Sequence, residues 1–205
     1  MVNRLSKKCR RDQKTKMILR QLKDTTSLQH RRLESRLDLL NRFSTVAEYK
    51  QLLTRFLGFY AAIEPPVAAA LSGTKHDFDF AMRRKTPFLK LDLLALGLSQ
   101  QEMDQVLLCQ HLPHIDTPAQ AFGYLYVAEG STLGGQILAR HFAQTLGINK
   151  TNGAAFFYAY GDDTGKMWRG FQTAINDFAA TDQSHHVITA AAIETFEALD
   201  AWLFE

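Results

Sequence analysis

The sequence predicts an all-α protein with a single domain. Seven or eight segments carry helical periodicity or helix caps, and no segment shows the convincing apolar–polar alternation of a strand. One long helical segment, between Thr117 and Gly147, has glycines in its middle. A chain of 205 residues is large enough for one hydrophobic core. We predict a basic, disordered arm over residues 1–16 and a helical domain over residues 17–205.

Composition and charge exclude several classes of protein. With 46% hydrophobic and 22% charged residues, the chain has the composition of an ordinary globule. No apolar run is long enough for a membrane span, and no signal-peptide pattern opens the chain. Cys9 and Cys109 form no disulfide framework or metal-ligand spacing, so we expect a cytoplasmic location. Residues 1–16 have a net charge of +6, which leaves −3 for the remainder and argues against nucleic-acid binding.

The first predicted helix places a histidine in its apolar stripe, which consists of Leu19, Leu22, Thr26, His30, Leu33, Leu37 and Leu40. A lone histidine on an apolar face is more often a hydrogen-bonded core residue than a ligand. Glu34, however, follows His30 by four residues, within reach of one ring nitrogen. A carboxylate behind a histidine is the arrangement that orients metal-binding imidazoles. His30 is therefore a candidate ligand.

The next helix begins at a capping box of Thr45 and Glu48. We expect Pro65 and Pro66 to break or kink it. Residues 73–80 read as a loop.

A basic cluster and a leucine-rich run follow. We interpret the run from Arg83 to Leu94 as a basic surface loop followed by a short helix, and Ser99 with Glu102 as the cap of a helix that extends through Cys109.

His111, His114 and Asp116 have the spacing of a metal pair with a nearby carboxylate. Pro113 denies them a regular helix, so we interpret them as loop residues.

The central segment begins with Thr117 as N-cap, Pro118 at the first helical position and Gln120 completing a capping box. Its three central glycines, Gly130, Gly134 and Gly135, cost roughly 3 kcal/mol relative to alanine in a helix, and they allow it to bend.

The spacing of Gly123, Val127, Gly130 and Gly134 bares one side of that helix. Either another helix packs closely against this side or a planar ligand lies on it. The pattern alone leaves both interpretations open.

Two further helices complete the chain. The first carries Lys166 and Arg169 near its start and turns Trp168, Phe171, Ile175 and Phe178 inward; the last begins at His185. All the segments that carry candidate residues are thus helical.

The sequence lacks the motifs that several common kinds of active site require. EGSTLGG lacks the GxSxG pattern and a preceding strand, which makes Ser131 a poor nucleophile. The glycines lie within a helix, so a dinucleotide fingerprint fails as well. Paired ExxH motifs for a di-iron bundle are absent from the sequence. A histidine and a bared helix can instead enclose a heme, with Lys23, Lys166 and Arg169 available for its propionates.

LKDTTSLQHRRLE and YVAEGSTLGGQIL resemble the two signature motifs of the heme oxygenases, and the bacterial, bacteriophytochrome-associated type is the most similar. The resemblance covers roughly residues 18–204. It implies a single-domain fold with a glycine-kinked helix on the distal side of the heme, opposite the ligating histidine. The further assignments that it implies are His30 as iron ligand, Glu34 as its hydrogen-bond partner, Gly130, Ser131, Gly134 and Gly135 as the distal wall, and Thr26, Lys23, Lys166 and Arg169 as heme-binding residues.

The resemblance also implies a reaction. Heme, as both substrate and cofactor, would be opened with O2 and external electrons to biliverdin, carbon monoxide and ferrous iron. A ferredoxin or flavin reductase would supply the electrons, and a bacteriophytochrome would accept the bilin. One departure concerns Ser131, which stands where mammalian-type enzymes carry an aspartate that orders distal waters. Bacterial relatives also have serine there.

Two alternatives of another class share these residues. One is a non-degrading heme protein for storage, delivery or sensing. The other is an interaction module that keeps the fold without heme; the intact His30 and Glu34 pair argues against it.

Overall fold

The computed structural model describes residues 17–74, 78–181 and 184–204, so the arm predicted over residues 1–16 lies outside the described ranges. Within these ranges the chain forms helices and no β-strand, as predicted. The helices are α1 (residues 17–25), α2 (Ser27–Leu37), α3 (Val46–Leu71), α4 (Thr86–Ala95), α5 (Gln100–Asp104), α6 (Pro118–Gly130), α7 (Thr132–Leu146), α8 (Ala155–Tyr158), α9 (Thr164–Thr181) and α10 (His185–Phe204). None of these helices has both the length and the apolar character that a membrane crossing requires.

Helix α6 lies at the centre of the fold. It packs mainly against α10 and also contacts α3, α7 and α9. A Cβ atom at Gly123 would lie 2.5 Å from the carbonyl oxygen of Ile188, so the absence of a side chain there lets α6 and α10 approach closely. Because α10 also contacts α2, it connects the two helices that carry the predicted site motifs.

Local sequence signals locate the starts of three helices. Thr117 accepts a hydrogen bond from the Gln120 amide, and Thr45 and Ser99 form the same reciprocal caps with Glu48 and Glu102. The predicted central helix is interrupted at Ser131, between α6 and α7, which confirms the bend near the glycines.

The first predicted helix is shorter than its apolar stripe suggests. It is interrupted at Thr26, whose hydroxyl donates to the Leu22 carbonyl at 2.7 Å, and it ends at Leu37. Asp38 adopts a left-handed conformation (φ 41°), a geometry that aspartate tolerates better than most residues. Leu40 is consequently outside the helix and exposed.

Of the break or kink predicted at Pro65 and Pro66, the break does not occur, because α3 continues through both to Leu71. Ile63, Glu64 and Val67 are buried around the two prolines, and α3 packs against α4, α6 and α10. Tertiary packing therefore outweighs the loss of two amide donors.

Two other predictions need correction. The basic run is not a surface loop: Arg83 and Lys85 are 8% and 2% exposed, and both pair with the buried carboxylate of Glu129. Helix α5 ends at Asp104 rather than reaching Cys109, whose amide instead donates to the carbonyl of Gly58 on α3.

Asp92 of α4 holds the start of α8. Its buried carboxylate accepts hydrogen bonds from the amides of Ala155 and Phe156 at 2.6 and 2.8 Å. Burial raises the pKa of this carboxyl to about 6, although the two amides act in the opposite direction.

We expect Asp92 to make stability depend on pH. Since its pKa is higher in the folded protein than in the unfolded chain, its contribution is fully present below about pH 4 and is lost as the pH rises through about 6, by up to about 3 kcal/mol. Urea unfolding of the wild type and Asp92→Asn across pH 4–7 measures this contribution as the difference between the two proteins.

Glu102→Gln is the matched control. Hydrogen bonds with Ser99 lower the pKa of Glu102, so the contribution of Glu102 to stability should grow with pH instead. If the difference in unfolding free energy between the wild type and Asp92→Asn stays constant from pH 4 to 7, the assignment is contradicted.

Candidate functional site

His30 lies on α2 with one ring nitrogen engaged and the other available. Its Nδ1 atom is 3.1 Å from Oε2 of Glu34, and its ring contacts the Phe196 ring of α10 at a centroid distance of 5.7 Å, edge to face. The side chain is 52% exposed, and no hydrogen bond to Nε2 is found within the described ranges. A carboxylate on Nδ1 orients the ring and favours metal binding through Nε2.

The glycines of the central segment divide into two groups. At Gly130 and Gly134, no atom lies within 4 Å of where a Cβ would be, so the main chain borders open space there. At Gly135 a Cβ would lie 2.3 Å from the carbonyl oxygen of Phe157, so this glycine permits close packing of α7 on α8. Gly123 serves the same purpose against α10. The packing interpretation of the glycine pattern therefore holds for Gly123, while Gly130 and Gly134 border the open space that a planar ligand would need.

Ser131 occupies the interruption between α6 and α7. Its hydroxyl donates to the carbonyl of Ala128 at 3.0 Å and interacts with the phenol of Tyr60 on α3. Burial raises the pKa of Tyr60, which keeps its phenol protonated at neutral pH. The bend thus carries a partly exposed hydroxyl pair that can hold water.

The Thr26 hydroxyl acts on the phenol of Tyr126, opposing the rise in pKa that burial causes, so the α1–α2 junction lies beside α6. The ring of Trp168 on α9 lies 6.4 Å from that of Tyr126. The junction before the helix of His30, the helix that ends at Gly130 and the start of α9 therefore meet at Tyr126.

Lys23, Lys166 and Arg169, the predicted partners of the propionates, are exposed. None of the ion pairs found among the described residues involves them. Their charges are available to an anionic ligand.

A buried cluster of charges behind the bend was missed in the sequence. Arg83 Nη1 lies 2.5 Å from Oε2 of Glu129, while Lys85 Nζ and the Tyr160 hydroxyl lie 2.9 and 2.7 Å from Oε1. Glu129 is fully buried. Burial lowers the pKa of Lys85, and the negative charge of Glu129 acts against that effect. The cluster fixes the last turn of α6.

A second buried carboxylate, Glu64, stabilises the neighbouring turn. It pairs with Arg84 at 2.9 Å and accepts hydrogen bonds from the amides of Lys85 and Thr86. A sequence signal existed for both carboxylates, since Glu129 is the one charged residue of α6 and Glu64 is the one charged residue between positions 56 and 71.

Two other features lie apart from these residues. His114 Nε2 is 2.6 Å from Asp116, both side chains are exposed, and no group of three or more metal-donor side chains is found in the described ranges. A pocket of about 280 Å³ is lined by Arg42, Phe43, Leu52, Phe204 and their neighbours, and by none of the predicted site residues.

A family model described as heme oxygenase matches residues 16–205, which is nearly the whole chain. The chain belongs to the heme oxygenase family. Membership establishes an enzyme family whose substrate is heme. It confirms the resemblance seen in the two motifs.

Solved structures show the same fold. A heme oxygenase from Leptospira interrogans shares 18% identity, with a TM-score of 0.69 over 91% of this chain and 98% of that one. The NO- and CO-bound heme oxygenase from Neisseria meningitidis shares 24% identity, with a TM-score of 0.72 over 91% and 89%. Heme oxygenase 2 from Chlamydomonas reinhardtii without heme shares 18%, with a TM-score of 0.72 over 91% and 95%. A sequence comparison with curated proteins finds no significant match.

Side chains added at Gly134 test whether the open main chain faces heme in this heme oxygenase. We expect Gly134→Ala to raise the free energy of unfolding of the heme-free protein by up to about 1 kcal/mol, since alanine favours helix and the space is open. Gly134→Leu should weaken hemin binding at least about tenfold, because its side chain would occupy the space of the ring. Chemical denaturation and hemin titration measure the two effects.

The adjacent Gly135→Ala is the control. Its Cβ would meet the Phe157 carbonyl, so it should destabilise the heme-free protein instead. Hemin binding by Gly134→Leu at wild-type affinity would show that Gly134 does not border the heme.

Proposed function

We propose that this chain degrades heme, with His30 as the axial ligand and the main chain at Gly130 and Gly134 as the opposite wall. The products are biliverdin, carbon monoxide and ferrous iron. The observation that carries the proposal is the open glycine surface on α6 and α7, and Tyr126 of α6 lies beside Thr26, the residue before the helix of His30. Bound heme supplies an iron that activates O2 and is itself the molecule that is cleaved.

The residues fit heme in shape and charge. A flat ring can lie against main chain that has no atom within 4 Å of its missing Cβ positions. Neutral imidazole is a common axial ligand, and Glu34 leaves Nε2 of His30 for the iron. The exposed cations Lys23, Lys166 and Arg169 suit the two propionates.

The distal wall favours ring attack over peroxidase chemistry because main chain, rather than an acid–base side chain, borders the open space at Gly130 and Gly134. The hydroxyls of Ser131 and Tyr60 interact with each other next to that wall. In this proposal they hold the distal water that delivers protons, in place of the aspartate of mammalian-type enzymes.

Electrons come from outside the chain in this proposal, from a ferredoxin or a flavin reductase. An acidic donor is attracted to the exposed cations at the edge of the site. The bilin passes to an acceptor of the bacteriophytochrome kind, and the reaction takes place in the cytoplasm.

Addition of hemin and reductant under air tests the reaction. We expect loss of the Soret band, formation of a bilin that chromatography identifies as biliverdin, and release of iron to a ferrous chelator. A Soret band that persists through repeated reduction in air would instead support a non-degrading heme protein. Failure of the wild type to bind hemin at all would support the interaction module.

His30→Ala tests the ligand. We expect the histidine-ligated hemin spectrum to disappear and biliverdin formation to fall at least about a hundredfold, because the iron loses its protein ligand. Added imidazole should restore the spectrum. His114→Ala, which removes an exposed histidine, is the matched control and should behave like the wild type. An unchanged His30→Ala spectrum would refute the ligand assignment.

A further inference from the structure

Arg83 connects the two sides of the proposed heme site. It ends the short turn Ala81–Arg83, and its Nη1 atom donates both to Glu129 on α6 at 2.5 Å and to the main-chain carbonyl of Met167 on α9 at 3.1 Å. A Cβ at Gly170 would lie 3.2 Å from Nη2 of Arg83, so the guanidinium lies close to the main chain of α9. One side chain thereby holds two helices in register.

The two hydrogen bonds of Arg83 reach residues that lie next to proposed heme-site residues in the sequence. Glu129 immediately precedes Gly130, the first residue of the open wall. Met167 lies between Lys166 and Trp168, two residues before Arg169. The same guanidinium therefore fixes the start of the glycine wall and the turn of α9 that carries both proposed propionate cations.

Glu129 is held at every polar atom of its side chain and at its main-chain carbonyl. Oε2 accepts a hydrogen bond from Arg83, and Oε1 accepts hydrogen bonds from Lys85 and Tyr160. The main-chain oxygen accepts one from the Thr132 hydroxyl at 2.7 Å. Since it is fully buried, any movement of its carboxylate would leave charged donors unpaired in the interior. The direction in which the chain leaves α6 is consequently fixed.

These contacts bear on the choice of reaction position. The four meso carbons of heme are related by quarter-turns about the axis through the iron. Propionate contacts determine the rotation of the ring about that axis, and the distal wall determines the side from which oxygen attacks. The carbon that is cleaved then depends on how the cations of α9 are oriented relative to the glycine wall.

We propose that Glu129 and Arg83 are positioning residues that determine which meso carbon of heme is cleaved, by fixing Lys166 and Arg169 relative to Gly130 and Gly134. The inference rests on the proposed function. Neither residue is required to touch heme, and their effect passes through α6 and α9.

The test compares Glu129→Gln and Arg83→Lys with the wild type. Glu129→Gln removes the buried negative charge at nearly constant size, and Arg83→Lys keeps the positive charge but removes the planar guanidinium that bonds to both helices. We expect the wild type to give mainly one biliverdin isomer, and both variants to raise the fraction of the minor isomers at least about fivefold, which corresponds to about 1 kcal/mol. Chromatography of the isomers and the histidine-ligated hemin spectrum are measured together.

A second readout needs no turnover. In the cyanide complex of ferric heme, the proton resonances of the heme methyl groups report the rotation of the ring about the iron axis. We expect a second set of methyl resonances or a shifted pattern in Glu129→Gln. If the wild type binds heme without cleaving it, this measurement still tests the positioning role, while the proposed function fails separately.

Asp92→Asn is the matched control, because it also converts a buried carboxylate to an amide, but one whose hydrogen bonds go to the amides at the start of α8. It should leave the isomer ratio and the methyl pattern as in the wild type. Tyr160→Phe, which removes one neutral donor to Glu129, provides a milder variant if Glu129→Gln does not fold. An unchanged isomer ratio and methyl pattern in the variants that retain the histidine-ligated spectrum would overturn the proposal.

Discussion

The buried carboxylate of Glu129 is the constraint on which the arrangement of the site depends. A carboxylate without solvent is costly unless several donors surround it, and here Arg83, Lys85 and Tyr160 provide them. The three donors come from the turn before α4 and from the segment between α8 and α9. Because the Glu129 carboxylate needs several donors, separate parts of the chain pack against the end of α6, next to the bend.

The glycines of α6 and α7 show that one residue type can serve opposite purposes in one segment. Gly123 and Gly135 are required by the fold, since a Cβ at either position would lie within about 2.5 Å of a carbonyl oxygen of a neighbouring helix. Gly130 and Gly134 have no such neighbour and lower helix stability without any gain in packing. A cost retained at two adjacent turns of one surface is understandable if a ligand needs that surface bare. The division also explains why spacing alone could not distinguish packing from binding.

The sequence predicted those structural features that depend only on residues nearby in the chain. The caps at Thr45, Ser99 and Thr117 and the bend near the glycines were predicted because a cap or a flexible position is a local property. The His30–Glu34 contact followed from helical spacing for the same reason. In contrast, the continuity of α3 through Pro65 and Pro66 and the burial of the basic run depend on helices that are distant in sequence. Only a lone glutamate in the apolar sequence of α6 hinted at the charge cluster.

The cations of the chain fall into two groups with different roles. Arg83 and Lys85 are enclosed with Glu129, so their charges are paired inside the protein and contribute to structure. Lys23, Lys166 and Arg169 are exposed and take part in none of the ion pairs found among the described residues. A dianionic ligand at the site would meet the second group without having to displace a carboxylate. Because Arg83 bonds to Glu129 on α6 and to the Met167 carbonyl on α9, the buried cations hold together the two helices on which the open glycine Gly130 and the exposed cations Lys166 and Arg169 lie.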